Sequence, residues 1–225
     1  MDTKKLNWEQ NPLSDKIIEN GEQSFKLWLE FEDTSPWDDL KNSFANISVD
    51  MMDGRGYGIN VWTFDFLKTE VKEKIDKEKK CDYIIPPDLF VETLTRPCIE
   101  QTIIDLLNVG SLEKMLNHSV FGLDWLPPYE YALDLEAETI EALIRELKLE
   151  LPEGDFLANE SYELEARRMD NDDIVLELED GRIVVIHLTW SSKQEQTGFP
   201  HRRIYRNEIE FWEKEMQHEI SAYKN

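Results

Sequence analysis

The sequence predicts an α+β protein made of two modules, residues 1–130 and 131–225, each an antiparallel sheet grown from a β-hairpin with helices packed on one face. Three observations point there. Apolar residues alternate with polar ones along several short runs, and other stretches repeat them at helical spacing. The string Asp-Gly-Arg occurs twice, each time between β-prone runs, with Thr beside Trp further on. The recurrence fits either two independent hairpins that share common turn chemistry or a pair of related modules.

In the first module Phe25, Leu27, Leu29 and Phe31 alternate with Lys26, Trp28 and Glu30, a strand with one apolar face. Phe44–Met51 and Tyr57–Phe64 are β-prone runs around Asp53-Gly54, where glycine tolerates the positive φ a tight hairpin needs. Asp65 is placed to cap a helix through FLKTEVKEKIDKEKK, with Phe66, Leu67, Val71 and Ile75 on one face and lysines on the other, ending at Cys81-Asp82. Ile84-Ile85-Pro86-Pro87 reads as an extended connection. Pro97 suits the first turn of a second helix carrying Ile99, Ile103, Ile104 and Leu107, stopped by Gly110. Pro127-Pro128 marks the module boundary.

The second module opens on a helix with Ile140, Leu143, Ile144 and Leu147, closed by Pro152. Strands are expected at Tyr162–Met169, Ile174–Leu178 and Arg182–Trp190, the last two joined by Glu179-Asp180-Gly181. Ile204-Tyr205 is a short edge strand, and Ile209, Trp212, Met216 and Ile220 space a terminal helix.

Composition bounds the function. The 225 residues carry 25 Lys plus Arg against 48 Asp plus Glu, a net charge of −23. The excess is spread evenly, −12 over residues 1–135 and −11 over 136–225. Such a chain repels phosphate backbones, so direct nucleic-acid binding is not expected. With 40% hydrophobic residues and seven Trp it has the material of a folded core, unlike a disordered acidic tail. No stretch has the roughly 20 apolar residues of a membrane helix and the start lacks the apolar core of a signal peptide, so a cytoplasmic protein is expected. Cys81 and Cys98 are too few and too far apart for a zinc knuckle or a redox pair, and are read as reduced thiols, structural or incidental.

Chemistry-bearing motifs are sparse. There is no GxSxG elbow, no HExxH and no EF-hand loop, and His118, His187, His201 and His218 are scattered, so neither a catalytic triad, a metal nor a cofactor is expected. Gly54-Arg55-Gly56-Tyr57-Gly58 is glycine-rich, yet it joins two strands where a phosphate loop would enter a helix. His187 lies inside the apolar strand IVVIHLTW on the side of Ile183 and Val185, the position of a hydrogen-bonded core histidine or, alternatively, of a ligand or general base. His201, Arg202, Arg203 and Arg206 concentrate positive charge before a helix and could hold an anion or neutralise the acidic surface. Trp37 with Asp38 and Asp39, and Trp125 with Asp124, sit in proline-containing loops, as aromatic anchors within an acidic rim would.

The string WLEFEDTSPWDDLKNSFANISVDMMDGRGYGINVWTFDFL, followed by PPDLFVETLTR, resembles a family of small acidic proteins of Bacillus-type bacteria with no assigned activity. LEDGRIVVIHLTWSSKQEQTGFPHRRIY is similar to a separate bacterial domain in which HLTW and a later Pro-His or Pro-Arg stretch recur. Acidic surface, compact modules and paired hairpins together resemble immunity proteins of polymorphic-toxin systems, a likeness of style that carries over no functional residue. The reading that follows is a non-enzymatic acidic binding protein that occludes a basic partner such as a toxin, with Trp37, Asp38, Asp39, Asp124 and Trp125 at the interface. The alternative is a small-ligand binder or enzyme with a pocket between the modules at His187, Trp190, His201, Arg202 and Arg203.

Overall fold

A computed structural model describes residues 13–14, 16–33, 39–78 and 84–224. The chain is of the α+β class and divides into two compact units, Met1–Gly122 and Leu123–Asn225. Pro127-Pro128 therefore falls inside the second unit, because Tyr129–Tyr131, directly after it, is an edge strand of the second sheet.

The first sheet contains β1 (Ile17–Ile18), β2 (Phe25–Leu29), β3 (Phe44–Met51) and β4 (Arg55–Thr63) as an antiparallel run. β5 (Leu89–Val91) adds to β4 in parallel, because helix α2 (Phe64–Glu78) intervenes between them and carries the chain back. A sixth strand, Phe121–Leu123, also pairs with β4. The alternation of β2 stops at Leu29. A helical turn, α1 (Glu30–Asp33), replaces the expected strand end, and it brings the Glu32 carboxylate to the Arg96 guanidinium at 2.6 and 2.8 Å.

Phe25, Leu27, Leu29, Ala45, Ile47, Val49, Met51, Tyr57, Ile59 and Val61 all point inward and are buried. Helix α3 (Arg96–Val109), with Pro97 in its first turn, lays Ile99, Ile103 and Leu107 on this face. Each such fully buried side chain contributes about 1.5–3 kcal/mol. The cap of α2 is Thr63 instead of Asp65. The Phe66 N–H donates to the Thr63 hydroxyl at 3.2 Å, while Asp65 pairs with Lys68 on the surface. Val71, assigned to the apolar face of α2, is exposed, and Cys81 lies outside the described residues.

The second sheet is a five-stranded antiparallel meander in which β6 (Tyr129–Tyr131), β7 (Tyr162–Arg168), β8 (Asp173–Leu178), β9 (Ile183–His187) and β10 (Arg202–Tyr205) pair in chain order. Where helices were expected on one face, this sheet is covered on both. Helix α4 (Ala137–Glu150) packs Leu143 and Leu147 against Ile174, Leu176, Val184 and Ile186. The C-terminal helix, running from Glu208 to Tyr223 with a π-turn at Trp212–Met216, packs Phe211, Met216 and Ile220 against Val175, Ile183 and Val185.

The two Asp-Gly-Arg turns share one local device. Gly54 and Gly181 take positive φ, 90° and 81°. In each turn the aspartate accepts both the main-chain N–H and the guanidinium of the arginine two residues on: Asp53 from Arg55 at 3.2 and 2.8 Å, Asp180 from Arg182 at 3.1 and 2.7 Å.

Candidate binding surfaces

Strand alternation places Asp173 on β8, His187 on β9 and Arg203 and Tyr205 on β10 on the face that meets the terminal helix. They form one chain of charge-assisted bonds. The His187 Nδ1 lies 2.8 Å from the Asp173 carboxylate. Because a carboxylate only accepts, Nδ1 carries the proton. Arg203 donates to the other Asp173 oxygen at 2.8 Å and, as a fork, to Glu215 of the terminal helix at 2.6 and 2.8 Å. The Tyr205 hydroxyl donates to the same Glu215. Hydrogen bonding to Glu215 first, and then to Asp173, holds the Arg203 pKa well above its usual value, while burial and Glu215 push the Tyr205 phenol up.

The histidine is not sealed in the core: its side chain is 45% exposed, over an Asp173 that is 5% exposed. Asp173 and His187 thus have the arrangement of an oriented base. Among the described residues no hydroxyl or thiol is bonded to that imidazole, and no group of His, Cys, Asp and Glu is placed to hold a metal.

The other predicted residues are placed as follows. Arg202 makes a two-pronged pair with Asp155, whose carboxyl is held below its usual range by that guanidinium. His201 is exposed beside the Phe199 ring, 4.3 Å between centroids, and its carbonyl accepts the His187 N–H. Trp190, 47% exposed, donates its indole N–H to Asp172 at 2.9 Å. Trp125 is half-buried and stacked on Tyr131, beside a half-buried Asp124. Asp39 is exposed and accepts the N–H groups of Lys41 and Asn42, closing a turn. Trp37 and Asp38 lie outside the described residues.

The arginines as a set explain where the charge goes. Eight of the nine pair with carboxylates of their own unit. The guanidinium groups are consumed internally, and the excess of carboxylates is left to the surface.

A surface that the sequence reading did not single out lies between α4 and β7. Ile144, Leu151, Leu157 and Leu164 line an open groove of about 840 Å³ together with Glu153, Glu160, Glu163 and one lysine, Lys148. It runs into a second recess, of about 500 Å³, that shares Ser161, Tyr162 and Glu163 and adds Glu177 and Glu179. The one readable signal was the surplus of apolar positions. Ile140 and Ile144 extend the α4 stripe beyond what Leu143 and Leu147 need to cover the sheet. Comparison with models of protein families, with curated proteins and with solved structures finds no match.

Proposed function

We propose that this chain is a binding protein that captures a basic protein partner and blocks it by occlusion, as an immunity protein blocks a toxin. The observation that carries the reading is the open groove of the second unit, whose lining sets apolar side chains beside carboxylates. Its apolar part offers desolvation to an apolar side chain, and its carboxylates favour a segment that is basic on either side. The net charge of −23, with arginines spent on internal pairs, would speed encounter with a cationic surface.

The test uses a fluorescent peptide with two central leucines flanked by lysines, followed by anisotropy at two salt concentrations. Binding should weaken by at least about tenfold between 20 and 300 mM salt, as screening of exposed charges requires. Ser161→Trp, which fills the groove from an exposed position without touching the core, should weaken it by a similar factor. A peptide with glutamates in place of the lysines should not bind. Equal binding of a leucine-free lysine peptide, or indifference to salt, would overturn the reading.

A further inference from the structure

The first unit has a different kind of recess on the outward face of its sheet. Along β3 the inward residues Ala45, Ile47 and Val49 are buried, whereas Phe44 and Asn46 are exposed. Phe44 pairs directly with Trp62 across the β3–β4 register. Helix α2 starts immediately after β4, so its second turn-forming aromatic, Phe66, comes over both: its ring centroid is 5.1 Å from that of Phe44 and 5.1 Å from that of Trp62, edge-on to the indole at 85°. With Asn60 and Glu70 these three rings line a recess of about 380 Å³. Phe44, although packed on Phe66, stays 46% exposed at this outward strand position.

A second observation lies beside it. Gly58 is on the same outward face as Asn60 and Trp62, two residues along a strand flanked on both sides. Among the described residues a Cβ there would meet nothing within 4 Å, and its φ lies outside the left-handed region. Neither the packing of the described residues nor the sign of φ asks for glycine. Glycine inside a strand costs about 0.5–1 kcal/mol, and it leaves room for another backbone to approach closely.

We propose that this recess seats an arginine side chain of the basic partner, whose backbone runs over Gly58. This rests on the basic-partner reading above, though on a separate surface in the other unit. A guanidinium is flat and weakly hydrated, so it stacks on an aromatic face as an ammonium does not. Trp62, Phe44 and Phe66 present three such rings, and the Glu70 carboxylate, which also has an interaction within the chain, adds negative charge at the rim. The alkyl stem fits against the exposed Phe44, and an anionic or neutral polar side chain would gain from neither the rings nor the carboxylate.

The experiment is a titration of the full chain, followed by NMR at the Trp62 indole N–H, assigned with Trp62→Phe. The probes are an acetylated glycine–arginine peptide with two arginines and the same peptide with citrulline, the neutral isostere. The arginine peptide should shift the Trp62 resonance saturably and the citrulline peptide should bind at least about fivefold more weakly. Phe44→Ala and Glu70→Gln should each weaken the arginine peptide by about three- to tenfold. Phe44→Trp should restore binding and Ser161→Trp should leave it unchanged. Arginine binding that spares Trp62, equal binding of citrulline, or indifference to both substitutions would overturn this site while leaving the basic-partner reading standing. Failure of every basic peptide to bind anywhere on the protein would overturn that reading as well.

Discussion

Glu150, at the end of α4, has no solvent exposure. Its carboxylate is satisfied by the chain that follows β9: the Thr189 N–H donates to both oxygens at 2.9 Å, and the Ser191 N–H reaches one at 3.4 Å. The neighbouring Glu146 takes the Ser192 N–H at 2.7 Å. To point successive N–H groups at these anions, Trp190 and Ser192 adopt left-handed φ, 52° and 55°, the alternation of a backbone anion nest. This is why the strand expected to reach Trp190 ends at His187. Non-glycine residues resist that conformation by roughly 1–2 kcal/mol each, so the carboxylates must outweigh it. Glu150→Ala, which takes their acceptor from the part-buried Thr189 and Ser191 N–H groups, should cost about 1–3 kcal/mol in urea unfolding. Ser192→Gly, which keeps its N–H and relieves the strained φ, should stay within about 1 kcal/mol of the parent. A neutral Glu150→Ala would mean that the segment is held by something other than these carboxylates. The sequence hid this device because neither left-handed position is Gly or Asn, and because Glu150 lies 39 residues before Thr189.

Among the elements, the terminal helix opens at Glu208, whose burial, with Glu177 and Glu165 as like charges nearby, pushes its carboxyl up to about 7. Position at a helix start favours the carboxylate, so burial and repulsion here prevail over the helix dipole. A carboxyl raised on folding binds its proton more tightly in the folded chain. Its contribution is therefore intact below the unfolded value near 4.3 and is lost as pH rises towards 7. Glu208→Gln, which cannot ionise, should raise stability at pH 8 and leave it nearly unchanged at pH 4. An equal effect at both pH values would refute that titration. Legibility also divides by element. Strands with one buried face, such as β3 with Ala45, Ile47 and Val49, announced themselves by period two, as did α3 by Ile99, Ile103 and Leu107. The second sheet carried the signal of two-sided burial in the unbroken run Ile183–Ile186, which alternation arguments alone overlook. The arginine cluster read as available cation because its partners are remote in sequence: Glu215 is 12 residues from Arg203, Asp173 is 30, and Asp155 is 47 from Arg202. Of the candidate surfaces, Trp62 and Phe66 were visible only as ordinary apolar positions, since the recess exists through a strand register and a helix start that no local pattern states.

For the molecule as a whole, 48 acidic side chains against 25 basic ones make self-repulsion a standing cost to each compact unit, spread through both units instead of confined to a tail. Arginine pairs relieve it locally, as where Arg168 bridges Asp170 and Glu219 at 2.7 and 2.8 Å, but they cannot neutralise an excess of 23. Added salt screens what remains, and the Debye length falls from about 30 Å at 0.01 M to below about 8 Å at 0.3 M. The thermal midpoint at pH 8 should therefore rise by several degrees between those concentrations, opposite to what a fold dominated by its exposed ion pairs would do. The gain should fade near pH 4.5, the isoelectric point, where net repulsion vanishes while hydrophobic burial is unchanged. The same screening that firms the fold should loosen its grip on a cationic peptide, so the two salt dependences must run in opposite directions at pH 8. A midpoint that falls with salt there, or a gain as large at pH 4.5, would show that the surplus charge does not act as a diffuse field and would remove the long-range attraction that the binding reading requires.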